Sequence, residues 1–197
     1  GRALERLDEV RFSISATTRP RRTEEEDGLD YRFLDRERFE AMVEEGGLLE
    51  WAEVHGHLYG TPRSNLTEAR REDRHLLLDI DVQGARSVRE KVPEAVSVFL
   101  LPPDGRRIVR RLRGRGTEGE GEIRRRLEAA RGELAAVDEF DYVVVNDVLE
   151  ETVEELEAIL RAEERRIERM GRRVQEEAGR LAEEIGRQVE AEIGQAP

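Results

Sequence analysis

Residues 75–85, HLLLDIDVQGA, decide the fold of this chain. The nearly continuous apolar run at 75–80 is typical of a strand buried on both faces of a parallel sheet, and it leads into a predicted helix at 84–91. The same alternation continues, with strands predicted at 95–101 and 142–145 and helices predicted at 104–113, at 122–137 and from about residue 150. Repeated strand–helix units of this length predict an α/β fold with a parallel sheet.

The residues before this stretch predict a smaller, mixed region. Alternating polar and apolar residues at 11–16 predict a strand, and the polar, proline-containing segment 17–30 predicts a loop. Asp35 suits the N-cap of a helix, and 48–55 reads as a strand of a second antiparallel element. Thr61, followed by proline, is predicted to cap the next helix.

Composition excludes several classes of function. The 197 residues carry 46 acidic and 34 basic side chains, a formal net charge of −12, which argues against a general nucleic-acid binder. There is no cysteine, so disulfides and thiolate chemistry are excluded, and three scattered histidines make a histidine metal site a poor hypothesis. No apolar run approaches the roughly 18 residues that span a bilayer. The sequence therefore predicts a soluble, cytoplasmic protein.

An anion-binding loop is the first candidate site. The segment 12–22, FSISATTRPRR, is a strand that ends in hydroxyl groups and delivers arginines into a loop. Its hydroxyls and the side chains of Arg19 and Arg22 can converge on an anion, because a guanidinium offers a planar fork of donors that matches a phosphate. The alternative is an ordinary solvated arginine loop.

Carboxylates and a tyrosine form the second candidate site. Glu50 lies in a predicted strand, where it is either functional or an edge-strand charge, and Tyr59 is either functional or a core aromatic residue. Asp79 and Asp81 follow the apolar strand, at the edge of an open parallel sheet where ligands bind. One of these two aspartates can instead simply cap the following helix.

The ordered combination of these motifs closely resembles the guanylate kinase family, from about residue 11 to about residue 165. The resemblance implies a P-loop-kinase-like fold of the nucleoside monophosphate kinase type, with a parallel sheet and flanking helices. It also implies a small mixed GMP-binding region at about 17–74 and a helical lid at about 113–127, within a domain spanning 1–165. The motifs are SATTRPRR (15–22), DGLDY (27–31), EWAEVHGHLYGTP (50–62), LDIDVQGA (78–85), LLPP (100–103), RLRGRGTE (111–118) and DYVVVND (141–147).

The resemblance assigns one group of residues to a GMP site. Arg19 and Arg22, with the hydroxyls of Tyr31 and Tyr59, are expected to hold the phosphate of the nucleotide. The full set that matches the family's GMP positions is Ser15, Arg19, Arg22, Tyr31, Glu50, Tyr59, Thr61 and Asp79.

Selectivity for the base is expected to come from Glu50. Its carboxylate would accept hydrogen bonds from N1–H and from the exocyclic amine of guanine, with Ser15 and Thr61 adding further bonds to the base. Adenine lacks these donors in that arrangement. Sites that recognise a substrate by buried hydrogen bonds discriminate by about 10⁴ to 10⁵, so this pocket is expected to prefer GMP over AMP.

The resemblance also assigns the groups that act on the transferring phosphate. Arg115 and Arg126 match the family's catalytic arginines, since phosphoryl transfer depends mainly on positioning and charge neutralisation. For Arg126 the alternative is that helix 122–137 merely presents a basic face. Asp81 resembles the carboxylate near the Mg²⁺ site, and Asn146 lies where the family approaches the base of ATP.

One part of the family pattern does not occur in the given sequence, which contains no GxxxxGK[ST] loop. The single lysine, Lys91, falls at the end of a predicted helix and cannot replace the lysine of that loop. We expect an N-terminally incomplete guanylate kinase that uses ATP and Mg²⁺, whose own activity and stability are reduced by the missing strand. The alternative is an inactive guanylate-kinase-like module that binds GMP or a protein partner.

The last residues differ from the rest. A thin apolar stripe at helical spacing runs from Leu156 to Ile193, between glutamates and arginines, and predicts one long helix. Three glycines at 171, 179 and 186 each weaken it by about 1 kcal/mol relative to alanine. This extension, 166–197, is expected to be an exposed tail, or alternatively a surface through which two copies of the chain pair.

Overall fold

The computed structural model describes residues 9–54, 56–113 and 120–193. The chain forms two compact units, residues 1–150 and 151–197. The strands are β1 (Val10–Phe12), β2 (Ala16–Thr17), β3 (Arg32–Phe33), β4 (Leu48–Val54), β5 (His57–Pro62), β6 (His75–Leu77), β7 (Val98–Leu101) and β8 (Tyr142–Val145). The helices are α1 (Arg36–Glu44), α2 (Arg63–Arg71), α3 (Val82–Lys91), α4 (Gly105–Arg113), α5 (Glu120–Leu134), α6 (Leu149–Glu164) and α7 (Ile167–Ile193).

The predicted parallel strand pairing is confirmed. β1 pairs with β6, and β7 pairs with β8, both in parallel register. Among the described residues these strands form two separate two-stranded sheets, where the sequence predicted one larger sheet. Two of these strands are also shorter than predicted. β6 ends at Leu77, although the predicted strand ran over 75–80, and β7 begins at Val98, although the predicted strand ran over 95–101.

The smaller region is a mixed four-stranded sheet with the strand order β3-β2-β5-β4. β2 is parallel to β3 and antiparallel to β5, which in turn is antiparallel to β4. Its core is the buried cluster of Ala16, Phe39, Leu48 and Leu58, into which α1 inserts Phe39. α1 begins as predicted, because the carboxylate of Asp35 accepts a hydrogen bond from the Arg38 amide at 2.8 Å.

The predicted strand 11–16 is two strands in two different sheets. Phe12 ends β1, and Ala16 begins β2 in the mixed sheet. The turn between them is held by Asn65 of α2, whose amide nitrogen donates to the Ser13 hydroxyl at 2.9 Å and to the Ile14 carbonyl at 3.0 Å. Because Asn65 is buried, these bonds fix the point at which the chain passes from one sheet to the other.

The prediction that Thr61 caps a helix is wrong. Thr61 lies inside β5, and α2 begins two residues later with no side-chain cap. The hydroxyl of Thr61 instead donates to the carboxylate of Glu50 on the neighbouring strand. A cap would require this oxygen to accept from an amide of the first helical turn, but the β4–β5 ladder places it opposite a carboxylate, to which it donates instead.

The second unit contains nearly all of α6 and the whole of α7. Glu163 is buried there and makes ion pairs with Arg166 and Arg169, each at 3.4 Å. The single long helix predicted from residue 156 is interrupted after α6 and again at Gly171, whose φ of 40° and ψ of −122° are not helical. Several apolar side chains of α7 are exposed, among them Leu181 and Ile185.

Candidate functional site

One pocket lies between the mixed sheet and the residues that follow β6. It brings together most of the residues that the sequence assigned to the GMP site, although they come from four separate segments of the chain. The pocket is lined by Ser15, Tyr31, Glu50, Ala52, Val54, Tyr59, Gly60, Asp79, Ile80 and Asp81. At its acidic end the carboxylate of Asp81 is close to that of Glu50, and at the opposite end Tyr31 and Tyr59 meet, with Asp79 close to Tyr31.

The carboxylate of Glu50 is the centre of the acidic end. The residue is only 3% exposed, and its Oε1 accepts a hydrogen bond of 2.6 Å from the fully buried hydroxyl of Thr61. Burial raises the pKa of Glu50, and the neighbouring charge of Asp81 raises it further, whereas the Thr61 hydrogen bond and the charge of Lys91 oppose the rise. Such a carboxylate gains strongly from any ligand that donates N–H groups to it, because those bonds replace lost solvation.

Gly84 determines how closely the next helix approaches this carboxylate. α3 packs against β4, and a methyl group placed on Gly84 would lie 2.9 Å from Oε2 of Glu50 and 3.2 Å from Cβ of Ile80. Carbon and oxygen atoms do not approach so closely without displacement. The absence of a side chain at residue 84 therefore leaves the space in which the Glu50 carboxylate sits.

Lys91 stands at the other end of α3. Its ammonium group donates a hydrogen bond of 2.8 Å to the backbone carbonyl of Leu49, the residue before Glu50. The only lysine of the chain thus places a positive charge behind the acidic end of the pocket. This contact supports the ionised form of Glu50.

Two tyrosines form the opposite end, and Arg19, which is not part of the pocket lining, lies against them. The rings of Tyr31 and Tyr59 meet edge to face, with centroids 6.1 Å apart, and the guanidinium carbon of Arg19 lies 5.4 Å from the Tyr31 centroid and 5.6 Å from that of Phe33. Burial raises the pKa of Tyr31, and the nearby Tyr59 and Asp79 add to the rise. At neutral pH the Tyr31 hydroxyl is therefore protonated and able to donate a hydrogen bond.

Arg19 is held by an anion from its own loop. Glu25 accepts two hydrogen bonds from the Arg19 guanidinium, at 2.6 and 3.0 Å, and a third from the backbone amide of Arg22 at 2.8 Å. The side chain of Arg22 itself is 61% exposed, with its nearest nitrogen 3.9 Å from Glu25. The sequence predicted that Arg19 and Arg22 converge on one anion, and in the structure both reach the carboxylate of Glu25.

The two aspartates after β6 have different surroundings. Asp79 is exposed and lines the pocket. Asp81 is the N-cap of α3: its Oδ1 accepts from the Gly84 amide at 2.8 Å, and its Oδ2 accepts from the Gln83 side chain at 3.3 Å. Capping, one of the two roles considered for this pair, thus belongs to Asp81.

The described residues do not build a metal site. Across residues 9–54, 56–113 and 120–193, no group of three or more His, Asp or Glu side chains is placed to hold an ion. Asp81 has one oxygen committed to the helix cap, so it offers a single weakly bonded oxygen. Divalent cations such as Mg²⁺ require about six oxygen ligands, and the family's Mg²⁺ does not fit a site made by these side chains alone.

Two of the residues predicted to act on the ATP side lie in the described part of the chain. Arg126 is half-buried on α5, and Asn146 directly follows β8, where its backbone amide donates to the Leu101 carbonyl at 2.8 Å. Neither lines the pocket. Arg115 lies outside the described residues, together with the rest of segment 114–119 of the predicted lid.

Sequence reasoning missed three residues that the structure places at the site. Gly84 stood inside the motif LDIDVQGA, but nothing in the sequence related it to Glu50, 34 positions earlier. Glu25 is the middle one of three consecutive glutamates, and no pattern singles it out. Lys91 was considered only as a substitute for a phosphate-loop lysine, whereas its contact is with the backbone beside Glu50.

Comparison with known proteins gives a consistent result. The guanylate kinase family model matches residues 4–163. The chain is 54% identical over 160 residues to a guanylate kinase of Thermus thermophilus, covering 81% of this chain and 73% of that protein. It is 49% identical over 166 residues to that of Thermotoga maritima, covering 84% and 80%. The crystal structure of guanylate kinase from Anaplasma phagocytophilum matches with a TM-score of 0.72 and 38% identity, covering 83% of this chain and 81% of that one.

Proposed function

Since the chain belongs to the guanylate kinase family, whose members convert ATP and GMP to ADP and GDP, we propose that the pocket between the mixed sheet and the residues after β6 binds GMP. The base lies at the Glu50 end, and the phosphate lies at the end formed by Tyr31, Tyr59 and Arg19. The observation that carries this proposal is that one pocket is lined both by the buried carboxylate of Glu50 and by Tyr31 and Tyr59, with the guanidinium of Arg19 lying against the Tyr31 ring.

The acidic end has the chemistry that guanine requires. The Watson–Crick edge of guanine presents two adjacent donors, N1–H and the exocyclic amine, and a carboxylate accepts both. Glu50 is buried and engages one hydroxyl, that of Thr61, so it retains acceptor capacity for both donors. Adenine presents a bare N1 at the same place, and the lone pair of that atom would face the carboxylate. Ser15 and Asp79 line the same pocket and are proposed to bond the remaining polar atoms of the base.

The opposite end has the chemistry that a phosphate requires. Arg19 supplies a guanidinium, and Tyr31 and Tyr59 supply hydroxyl donors beside it. Hydrogen bonds from charged donors to phosphate oxygens are roughly twice as strong as those between neutral groups. Arg22 is proposed to swing in from its exposed position once a phosphate is bound.

The ATP side of the reaction is proposed to involve residues outside this pocket. Asn146 follows β8, and the carboxyl ends of parallel strands are where ligands bind in open α/β sheets, so Asn146 is proposed to contact the base of ATP. Arg115 and Arg126 are proposed to neutralise charge on the transferring phosphoryl group. Mg²⁺ is proposed to bind together with the phosphates of ATP. Oδ2 of Asp81, which accepts the 3.3 Å hydrogen bond from Gln83, is proposed to lie near the bound ion.

A titration with mononucleotides tests the proposed site. We expect the chain to bind GMP at least about 100-fold more tightly than AMP, because loss of two hydrogen bonds to a buried carboxylate costs about 3 kcal/mol. Calorimetry with each nucleotide, without ATP, measures this ratio independently of phosphoryl transfer. Equal affinities for the two nucleotides, or no binding of GMP, would contradict the proposal.

The cytoplasmic location and the pairing of two copies through the C-terminal helices stay predictions. Within the described residues, none of the helices has the length and apolarity that crossing a membrane requires.

A further inference from the structure

The loop between β2 and β3 contains a carboxylate that faces an arginine of the proposed phosphate site. Glu25 and Arg19 are six residues apart, and their side chains are only 15% and 13% exposed. Nη2 of Arg19 donates to Oε1 of Glu25 at 2.6 Å, and Nη1 donates to Oε2 at 3.0 Å. The pair is therefore a two-point contact in a partly dry environment, unlike the exposed ion pairs elsewhere on the surface.

The contact with Glu25 engages only some of the N–H groups of Arg19. A guanidinium has five N–H groups in one plane. Glu25 takes one from each terminal nitrogen of Arg19, and the backbone carbonyl of Pro20 takes the second from Nη1 at 2.7 Å. The two that Glu25 and Pro20 do not engage, Nε–H and the outer N–H of Nη2, project in parallel from a single edge, and the Tyr59 hydroxyl is a further hydrogen-bond partner of this side chain. That edge has the fork geometry that binds two oxygens of one phosphate.

The plane of this guanidinium is also fixed. Its central carbon lies over the rings of Tyr31 and Phe33, at 5.4 and 5.6 Å from their centroids. The hydrogen bond with Glu25 is the main cause of the raised pKa of Arg19, and Arg19 in turn lowers the pKa of Glu25. Both groups are thus charged throughout the neutral range.

We propose, on the basis of the GMP site proposed above, that Glu25 is a positioning residue for the phosphate of GMP. Its carboxylate accepts from Nη1 and Nη2 of Arg19. The edge formed by Nε–H and the outer N–H of Nη2 is thereby turned toward the ligand. It also holds the backbone of Arg22 through the amide hydrogen bond of 2.8 Å, and in this way keeps the second arginine beside the first. The opposing physical possibility is that Glu25 competes with the phosphate for Arg19, and the two ideas predict changes of opposite sign.

The test compares Glu25→Gln with Glu24→Gln, a matched control that removes the same charge one residue earlier, at an exposed position. We expect Glu25→Gln to raise the Kd for GMP about tenfold, since a neutral amide holds a guanidinium less firmly than a carboxylate does. The Kd for guanosine, which has no phosphate, should stay at the wild-type value in both variants. Calorimetry with the two ligands gives all the values.

A double-mutant cycle then shows whether Glu25 acts through Arg19. In an Arg19→Ala background, Glu25→Gln should change the Kd for GMP less than twofold, because Arg19 is gone and the glutamine oxygen can still accept the hydrogen bond from the Arg22 amide. An additional tenfold loss in that background would overturn the proposal.

Three other outcomes contradict the inference. Tighter GMP binding by Glu25→Gln would identify Glu25 as a competitor of the phosphate. Equal losses for GMP and guanosine would show that the substitution merely disorders the loop. If Glu25→Gln bound GMP with wild-type affinity, the proposed role of Glu25 would be wrong but the proposed GMP site would stand. If the wild-type chain did not bind GMP, the proposed function itself would be wrong.

Discussion

The two ends of the pocket are built in different ways. The Glu50 end rests on strands and a helix: Glu50 and Thr61 face each other across the β4–β5 ladder, and α3 closes over them at Gly84. The Arg19 end rests on a loop between two short strands and is held by charged side chains. One end is buried and bonded within the sheet, and the other is partly open to solvent.

This difference matches the two tasks that binding of a nucleotide requires. Recognition of a base depends on hydrogen-bonding groups held in a fixed arrangement, which a sheet with buried side chains provides. Binding of a phosphate depends on charge and on donors that can adjust to a mobile, solvated group. We therefore expect changes at the Glu50 end to alter which nucleotide binds, and changes at the Arg19 end to alter how tightly any phosphate is held.

Substitution of Glu50 by glutamine should have the largest effect. The amide has one acceptor oxygen in place of two and presents an N–H group toward the donors of guanine, so the Kd for GMP should rise at least about 30-fold, equivalent to about 2 kcal/mol. The ratio of AMP to GMP affinity should move toward one. Calorimetry with both nucleotides gives the two quantities.

Glu53→Gln is the matched control, because Glu53 is on the same strand and its side chain is exposed. It should bind GMP like the wild type. If Glu50→Gln retains the wild-type preference for GMP over AMP, the base is not read by Glu50 and the distinction between the two ends is wrong.

A methyl group at Gly84 should have a smaller effect at the same end. Gly84→Ala places Cβ 2.9 Å from Oε2 of Glu50, which is too close, so the carboxylate must move by a few tenths of an ångström or the helix must shift. We expect the Kd values for GMP and guanosine to rise together, by about fivefold to tenfold, an effect of about 1 kcal/mol that is typical of a displaced hydrogen bond.

Gly132→Ala on α5 provides the comparison, since nothing lies within 4 Å of a methyl group there. Because alanine is the better helix former, this variant should be at least as stable as the wild type to heat. If Gly84→Ala weakened the binding of GMP but left the binding of guanosine unchanged, the contact between α3 and Glu50 would have no part in holding the base.

The last expected effect is absent at neutral pH and develops only on acidification: a dependence on pH that is confined to the Glu50 end. Burial places the pKa of Glu50 above its ordinary value of 4.5, and the donors of guanine require the ionised form. Guanosine affinity should therefore be constant at neutral pH and decline as the pH falls through this raised pKa, by up to tenfold per pH unit. Guanosine is the suitable ligand because the phosphate of GMP itself gains a proton near pH 6.

The same titration on Glu50→Gln should be flat over this range, since the group that takes up the proton has been removed. A decline of equal size in the variant would assign the pH dependence to another group.

The sequence predicted the elements better than their contacts. Strand β8 falls at the predicted residues, and Asp35 caps α1 as expected, because hydrophobic periodicity and capping are local properties. The prediction that Thr61 caps a helix failed because its hydrogen-bond partner, Glu50, lies 11 residues away on another strand, and no local pattern reveals that bond.

For the candidate site, too, the sequence predicted which residues take part but not the contacts between them. Family motifs brought Ser15, Tyr31, Glu50, Tyr59 and Asp79 into one group, and the structure places them around one pocket. The residues that hold those groups in position could not be inferred, because positioning depends on distances between segments. Gly84 matters through a missing methyl group 2.9 Å from a carboxylate oxygen, a relation that only the folded chain makes.

A structure of the chain with GMP bound is the most direct test of the account. The account predicts guanine N1 and the exocyclic amine within hydrogen-bond distance of the Glu50 carboxylate, about 2.7–3.2 Å, and the phosphate on the free edge of Arg19 beside Tyr31 and Tyr59. A nucleotide bound elsewhere, or turned so that its phosphate faces Glu50, would contradict it.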